Sequence, residues 1–455
     1  INSEGGSIPD EWIVEYVADR VETLGTTFLG LTMNCARCHD HKYDAVSQKD
    51  FYSLFAFFNG IDEAGLGPNN GNSPPFIPVP KSWPDLKPEE NKFVVPEKMK
   101  IKVVQTSVPR PQPGGANTVM VMHELPKPRP TYLLERGQYE RPDKSQELQP
   151  TVPEIIGGWK KEWPVNRVGL ANWLTDPDHP LTARVTVNRL WQRLFGLGLV
   201  KTSENFGVQG EHPSHPALLD WLATEFTRRD WSLKAMHRLI MSSAAYQRSS
   251  IPTADARQLD PLDTALSWYP PRRLTAEELR DSILATNGTL NLQLGGPSVY
   301  PPMPEEVLAT SSRPDAVWGR SSPEQADRRS IYIHLKRSLL DPLLTVFDLA
   351  DTDTTCPVRF VTTQPTQALT MLNSDFSGTE AAQLGDLLRS QASTPAEHIR
   401  LGIRAALSRE ATQEEIDDAI ALLMALQQDH GLNPQQALDR YCLVLLNLNE
   451  FIYVD

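Results

Sequence analysis

Proline most limits what this chain can fold into. It supplies 38 of the 455 residues, about 8% against a usual 5% or so. Each proline fixes φ near about −65° and lacks an amide proton, which confines it to helix first turns, tight turns and sheet edges. Two proline patterns matter most. After residue 63 they crowd among Gly65, Gly67 and Gly71, as Pro68, Pro74, Pro75, Pro78, Pro80 and Pro84, which is connector chemistry. Others stand singly at the heads of amphipathic runs, as Pro9, Pro395 and Pro434 do. There the missing amide is one that a helix start leaves unpaired anyway.

The segments on either side of the Pro-rich stretch read as helical. Pro9, Asp10 and Glu11 make a good first turn, and Trp12, Ile13, Tyr16, Val17 and Val21 follow at helical spacing. A second apolar run, Phe51 to Phe58, points to a helix capped at Asn59-Gly60. From Asn166 onward capping signals recur: Thr275 to Glu278, Thr394 to Glu397, Thr412 to Glu415, and Asn433-Pro434. Between 63 and 165 only short β-like runs occur, Lys102–Val104, Thr118–Met122 and Thr131–Leu134. Ser330 to Leu335 alternates and is expected as a further short strand. The expected fold is therefore mainly α with a small β module, an α+β chain of several domains. Its expected parts are a helical segment over 1–62, a Pro-rich linker and β module over 63–165, and a helical domain over 166–455.

Composition narrows the function. Lys and Arg number 44 against 57 Asp and Glu, a net charge of −13, so no nucleic-acid partner is expected. No apolar run approaches the roughly 18 residues of a membrane-spanning helix. The first residues, Ile1-Asn2-Ser3-Glu4, lack both an initiator Met and a signal peptide. The chain is expected to be a fragment or processed product, and a signal would lie upstream of it.

One motif carries chemistry. Cys35-Ala36-Arg37-Cys38-His39 is the signature of covalent haem attachment. Two thiols three positions apart on one turn form thioethers to the two vinyl groups of a porphyrin. The adjacent His then ligates the iron from the same side. With four Cys and ten His in the chain, random placement would give roughly 8 × 10⁻⁴ occurrences. Two other readings stand beside it. A zinc site would add His39 or His41 to the pair, but Cys356 and Cys442 do not supply a second pair at zinc-knuckle spacing. A redox dithiol would expect a βαβ surround, which is lacking. Met120, Met122 and His123 have the right chemistry for a sixth iron ligand, and nothing else recommends them. The aromatics Phe51, Tyr52, Phe55, Phe57 and Phe58 read as helix core.

The run from Leu29 to Asp44, with Cys35, Cys38, His39, His41 and Lys42-Tyr43-Asp44, resembles the planctomycete-type cytochrome c proteins. Later segments share the resemblance: Pro213–Pro216 with Leu218–Leu222, Trp231–Lys234, Arg272–Leu274 with Glu277–Arg280, Pro365–Leu369 with Leu372-Asn373, and the terminal Asn449–Asp455. It spans nearly the whole chain. The resemblance implies a large bacterial extracytoplasmic protein, in which a cytochrome-like module (here 1–62, short of its N-terminal part) precedes a planctomycete-specific domain of unknown function (166–455). The expected activity is electron transfer by covalently bound haem c, held by Cys35 and Cys38 with His39 on the iron, and a redox partner protein is implied. The competing expectation is an extracellular glycan-binding or glycan-processing module with polysaccharide-degrading partners, in which the Cys pair is structural or binds another metal. Haem attachment takes place outside the bacterial cytoplasm, so the periplasm or cell surface is the expected location.

Other constellations are weaker. Prolines around Glu211-His212-Pro213-Ser214-His215 favour a helix start over metal ligation. Asp348, Asp351 and Asp353 lack the loop Gly and the bidentate Glu of a calcium loop, so a solvated turn is expected. Cys442 sits at helical spacing with Leu438, Tyr441 and Leu445 and is expected as a buried free thiol, with Cys356 unbridged in a turn.

Overall fold

The structure is a computed structural model and describes residues 6–68, 72–78, 118–352 and 355–454. It is mainly α, with three antiparallel two-stranded ribbons among the described residues. By its contacts the chain forms two compact units, Ile1–Ser242 and Ser243–Asp455.

In the first unit, helix α1 (Pro9–Leu24) starts with Pro9 in its first turn and buries Val17, Ala18, Val21 and Leu24. It loosens into a π turn over Gly25–Leu29, closed by Gly30 at φ +60°. Gly25 is needed there, because a Cβ would stand 2.2 Å from Met33 Cγ. Helix α2 (Gln48–Ala56) opens on a reciprocal cap between Ser47 and Asp50. Its aromatics Phe51, Tyr52 and Phe55, with Phe57 and Phe58 after it, join the core of Val17, Val21, Leu29 and Trp173. The helix stops at Ala56, short of the expected Asn59-Gly60 cap. Asn59 is otherwise engaged: its amide donates to Thr131 Oγ1 at 3.0 Å and to the Arg129 and Pro130 carbonyls at 3.3 Å.

The ribbons are short. Strand β1 (Phe76–Pro78) pairs with β2 (Thr118–Met120), and β3 (Thr131–Leu134) pairs with β4 (Pro142–Leu148) across a register shift after Thr131. Pro-Asp-Lys-Ser-Gln-Glu-Leu carries almost no strand propensity, so β4 exists through its pairing. The Lys102–Val104 run lies outside the described residues. Helices α3 (Arg167–Leu174), α4 (Thr182–Phe195), α5 (Pro216–Arg228) and α6 (Leu233–Met241) complete this unit.

The second unit is built on α7 (Ala276–Thr286), α8 (Pro365–Asn373), α9 (Asp375–Gln391), α10 (Pro395–Leu407), α11 (Gln413–Gln428) and α12 (Pro434–Leu446). Reciprocal caps open α7, α10, α11 and α12 at the expected residues, each worth about 1 kcal/mol. Leu279, Ile283, Leu384, Leu388, Ile399, Leu438, Cys442 and Leu445 form its core. Gly385 and Gly402 let α12 approach, since Cβ atoms there would meet Asp439 Oδ1 at 2.3 Å and Leu445 Cδ1 at 2.9 Å. Strand β5 (Arg272–Arg273) pairs with β6 (Tyr453–Val454).

Two expectations fail in this unit. Ser330 to Leu335 is not a strand; it is a 3-10 turn over Ser330–Tyr332 followed by a single bridge from Ile333 to Val299. Val299 pairs with the run as a strand neighbour would, its amide donating to the Tyr332 carbonyl at 2.8 Å and its carbonyl accepting the His334 amide at 2.9 Å, and side chains hold the groups at and before its start. The Ser330 amide donates to Asp281 Oδ1 at 2.7 Å, and Arg280 donates to the Arg328 carbonyl at 3.2 Å. Asp348 is no solvated turn residue either. It pairs with the buried Arg273 and accepts from the Thr362 amide at 2.9 Å and its hydroxyl at 2.7 Å. Asp353 lies outside the described residues.

His179 gives the first unit a pH dependence. Its buried ring packs edge-on against Trp173, with centroids 4.6 Å apart, and Nδ1 accepts the amides of Leu181 and Thr182. Burial pushes its pKa down from 6.5 to about 4. Between those values the unfolded chain binds a proton that the folded one refuses, so stability falls as the pH drops from 6.5 towards 4, by up to about 3 kcal/mol. His179→Asn keeps an acceptor without the titration. Chemical denaturation of this variant across that range should show a flatter pH dependence than the parent, and equal slopes would refute the assignment.

Candidate functional site

The Cys35–His39 segment starts on a 3-10 turn, Asn34–Arg37, with Cys38 as its cap and His39 just beyond. Residues from distant parts of the first unit hold its main chain. The half-buried Glu22 carboxylate faces the amides of Asn34 and Met33, and desolvation raises its pKa. The Arg37 carbonyl accepts Gln48 Nε2 and Tyr52 Oη, both at 3.0 Å. Gln48 also reaches the Leu134 carbonyl at 3.0 Å, tying the turn to β3. The Arg37 guanidinium pairs with Glu15 on α1. Ala36, wholly buried, is the apolar pin of the turn.

This anchoring leaves the chemistry facing outward. Cys35, Cys38 and His39 are exposed, and the two thiols are unbridged. Cys38 Sγ donates to the Arg136 carbonyl at 3.3 Å. Gly137, at φ +73°, gives the sulfur room, because a Cβ there would stand 3.0 Å from it. His39 Nδ1 lies 2.7 Å from the Asp40 carbonyl. A carbonyl only accepts, so Nδ1 carries the proton and Nε2 keeps its lone pair, the arrangement common among metal-ligating histidines. The donor set therefore fits covalent haem, with two accessible thiols one turn apart and a histidine with a free basic nitrogen beside them. Among the described residues no three His, Cys, Asp or Glu converge to hold one metal ion.

His41, considered above as a zinc ligand, turns inward instead. It is buried, and its Nδ1 accepts the Asp44 amide at 2.8 Å. Asp44 Oδ1 in turn accepts the Val208 amide at 2.7 Å. The pair locks the loop after the motif onto residues 202–210. Met120, Met122 and His123 belong to another neighbourhood: Val121 bonds Pro75, the Asp62 amide donates to the His123 carbonyl, and Arg167 donates to that of Met122. Glu211 and His212 are exposed, and α5 starts at Pro216 with His215 as its cap residue. Glu22, Gln48, Tyr52, Asp44 and Gly137 carry no local motif that would announce their part in the site. Only the sequence run through Asp44 hinted at one of them.

Residues 166–423 match the sequence model of PSD1, described as a protein of unknown function (DUF1553). That match covers more than half of the chain. The chain belongs to the PSD1 family. Residues 1–63 match PSCyt2, also described as a protein of unknown function (DUF1549), and this match contains the whole Cys35–His39 motif. The two matches agree with the planctomycete cytochrome-like character read from the motif. No curated protein and no solved structure matches the chain.

In this PSD1 member the four cysteines separate by exposure. Cys35, Cys38 and Cys356 are exposed. Cys442 is wholly buried in α12, and desolvation pushes its thiol pKa up to about 12. The thiolate is the reactive form, so haem-free folded protein should show three thiols that react promptly with a disulfide reagent. The fourth should react only after denaturation. Four prompt thiols would contradict the burial of Cys442.

Proposed function

We propose that the chain is an extracytoplasmic c-type haem protein that passes electrons to a partner protein. The observation that carries this reading is the Asp40 carbonyl on His39 Nδ1, beside two exposed and unbridged thiols. Cys35 and Cys38 would hold the haem covalently, and His39 would ligate the iron through Nε2. Bound haem c supplies a one-electron iron couple. The Asp40 carbonyl fixes the ring tautomer and raises the basicity of Nε2. Glu22, Gln48 and Tyr52 hold the turn, so that the thiols keep their spacing without a ligand to organise them. The location, periplasm or cell surface, follows from where haem is attached. Among the described residues no helix is long and apolar enough to cross a membrane.

Expression in a host with haem-ligation machinery, followed by a pyridine haemochrome spectrum of the denatured protein, tests the reading. One covalent haem per chain is expected, lost when both Cys35→Ala and Cys38→Ala are made. Folded protein from that host with no haemochrome would refute it.

A second reading, glycan binding or processing, is favoured by a cavity of about 550 Å³ in the second unit. Tyr300 and Trp318 meet edge to face at 5.3 Å there, with Glu305, Asp315 and Arg320 in the lining. Aromatic surface and carboxylate acceptors together suit the apolar faces and hydroxyls of sugar rings. This reading predicts binding of acidic or neutral oligosaccharides by haem-free protein, weakened at least about tenfold by Trp318→Ala. A glycan array without any such binding would remove it.

A further inference from the structure

The second unit leaves an apolar groove of about 340 Å³ where the α11–α12 hairpin meets the end of α8. Leu422 and Leu426 of α11, Leu443 and Val444 of α12, and Leu372 of α8 line it. The rim is wet, with Leu372 47% and Val444 41% exposed, and Leu369 extends the apolar stripe one turn back along α8. Arg440 and His430 stand in the lining as its polar groups. Among the described residues neither has a hydrogen-bond or ion-pair partner.

We propose that this groove receives an amphipathic helix of a partner protein, its acidic flank on Arg440. The lining decides between the known ways of binding a peptide. Strand addition needs a free sheet edge, and the groove is walled by helices and their connecting turn. Recognition of an extended Pro-rich segment needs aromatic walls, and the lining has none. A helix with apolar anchors at i, i+3, i+4 and i+7 remains, and it matches a trough of leucines between helices. A lone alkyl chain would lie half in water against so open a rim, whereas a helix covers Leu372 and Val444 with its flanks. The charge argument sets the sign of the partner. Arg440 is exposed and presents several guanidinium donors at the rim, so a carboxylate flank gains a pairing that a basic flank would forfeit.

The probe is a fluorescein-labelled fifteen-residue helical peptide with Leu at i, i+3, i+4, i+7 and i+11 and Glu at the flanking positions. Its control carries Lys in place of Glu. Anisotropy titration with the full chain should show saturable binding of the acidic peptide, weakening as salt is raised, and much weaker binding of the basic one. Leu372→Asp alters an exposed rim residue, so thermal unfolding should stay unchanged while binding is lost. Arg440→Glu should weaken the acidic peptide by about tenfold or more and reverse the preference. No saturable binding, equal binding of the two peptides, or indifference to Leu372→Asp would overturn the proposal. Sedimentation of the chain alone supplies another arm. A dimer that Leu372→Asp dissociates would place a second copy in the groove, and that too would overturn the partner helix.

Discussion

Every buried backbone carbonyl needs a donor, and a chain with 38 prolines has fewer amides than carbonyls to pair. The irregular segments of this protein hold because side chains supply the missing donors. Arg189 gives one to the Thr26 carbonyl at 2.7 Å, in the π turn that follows α1. Asn59 serves the Arg129 and Pro130 carbonyls, and Asn188, wholly buried, closes the loop after α4 on the Val200 carbonyl at 2.9 Å. Arg328 caps the carbonyls of Gln293, Gly295 and Pro297 while its guanidinium lies 3.9 Å from the centre of the Tyr332 ring.

The candidate site follows the same rule. A 3-10 turn of four residues makes few bonds of its own, so its conformation depends on Gln48, Tyr52 and Glu22 from outside it. Burial of Tyr52 sends its phenol pKa well above the usual range, so the hydroxyl stays a neutral donor to the Arg37 carbonyl at any physiological pH. The turn is thus rigid underneath and chemically open on top. That combination suits attachment of a large planar cofactor, because the thiols do not have to be gathered at an entropic cost before they react.

The second unit carries its polar burden differently. Arg280 is buried and donates to the Ala326 and Arg328 carbonyls, and desolvation lowers its pKa. Around it, burial raises the pKa values of Asp341, Glu380 and Asp327. A buried ionic group contributes little net stability against an apolar replacement, because desolvation cancels most of the attraction. Its consequence here is specificity. Arg280 fixes where the 326–330 segment lies, and the Ser330–Leu335 run after it, which alternates like a strand, opens as a 3-10 turn.

Local sequence was enough for α7, α10, α11 and α12 of the second unit. Thr275, Thr394, Thr412 and Asn433 each meet a partner three residues later, and Pro395 and Pro434 stand where a helix start tolerates them, so every term in the decision is near in the chain. It was enough, too, for the identity of the chemical motif, since Cys35, Cys38 and His39 are neighbours, and for Cys442 as a buried thiol, since its helix face is all apolar. Tertiary structure decided the rest. It converted Ser330 to Leu335 from strand to turn through Arg280 and Asp281, made Asp348 an ion-pair partner of Arg273 75 residues away, and recruited the polar segment Pro142–Leu148 into a ribbon. It also turned His41 inward and left His39 facing out, a difference that rests on Asp44 and on Val208, 164 residues beyond it. Propensity and capping act over one helical turn, whereas the pairing of a buried polar group is settled by whichever donor the fold brings within reach.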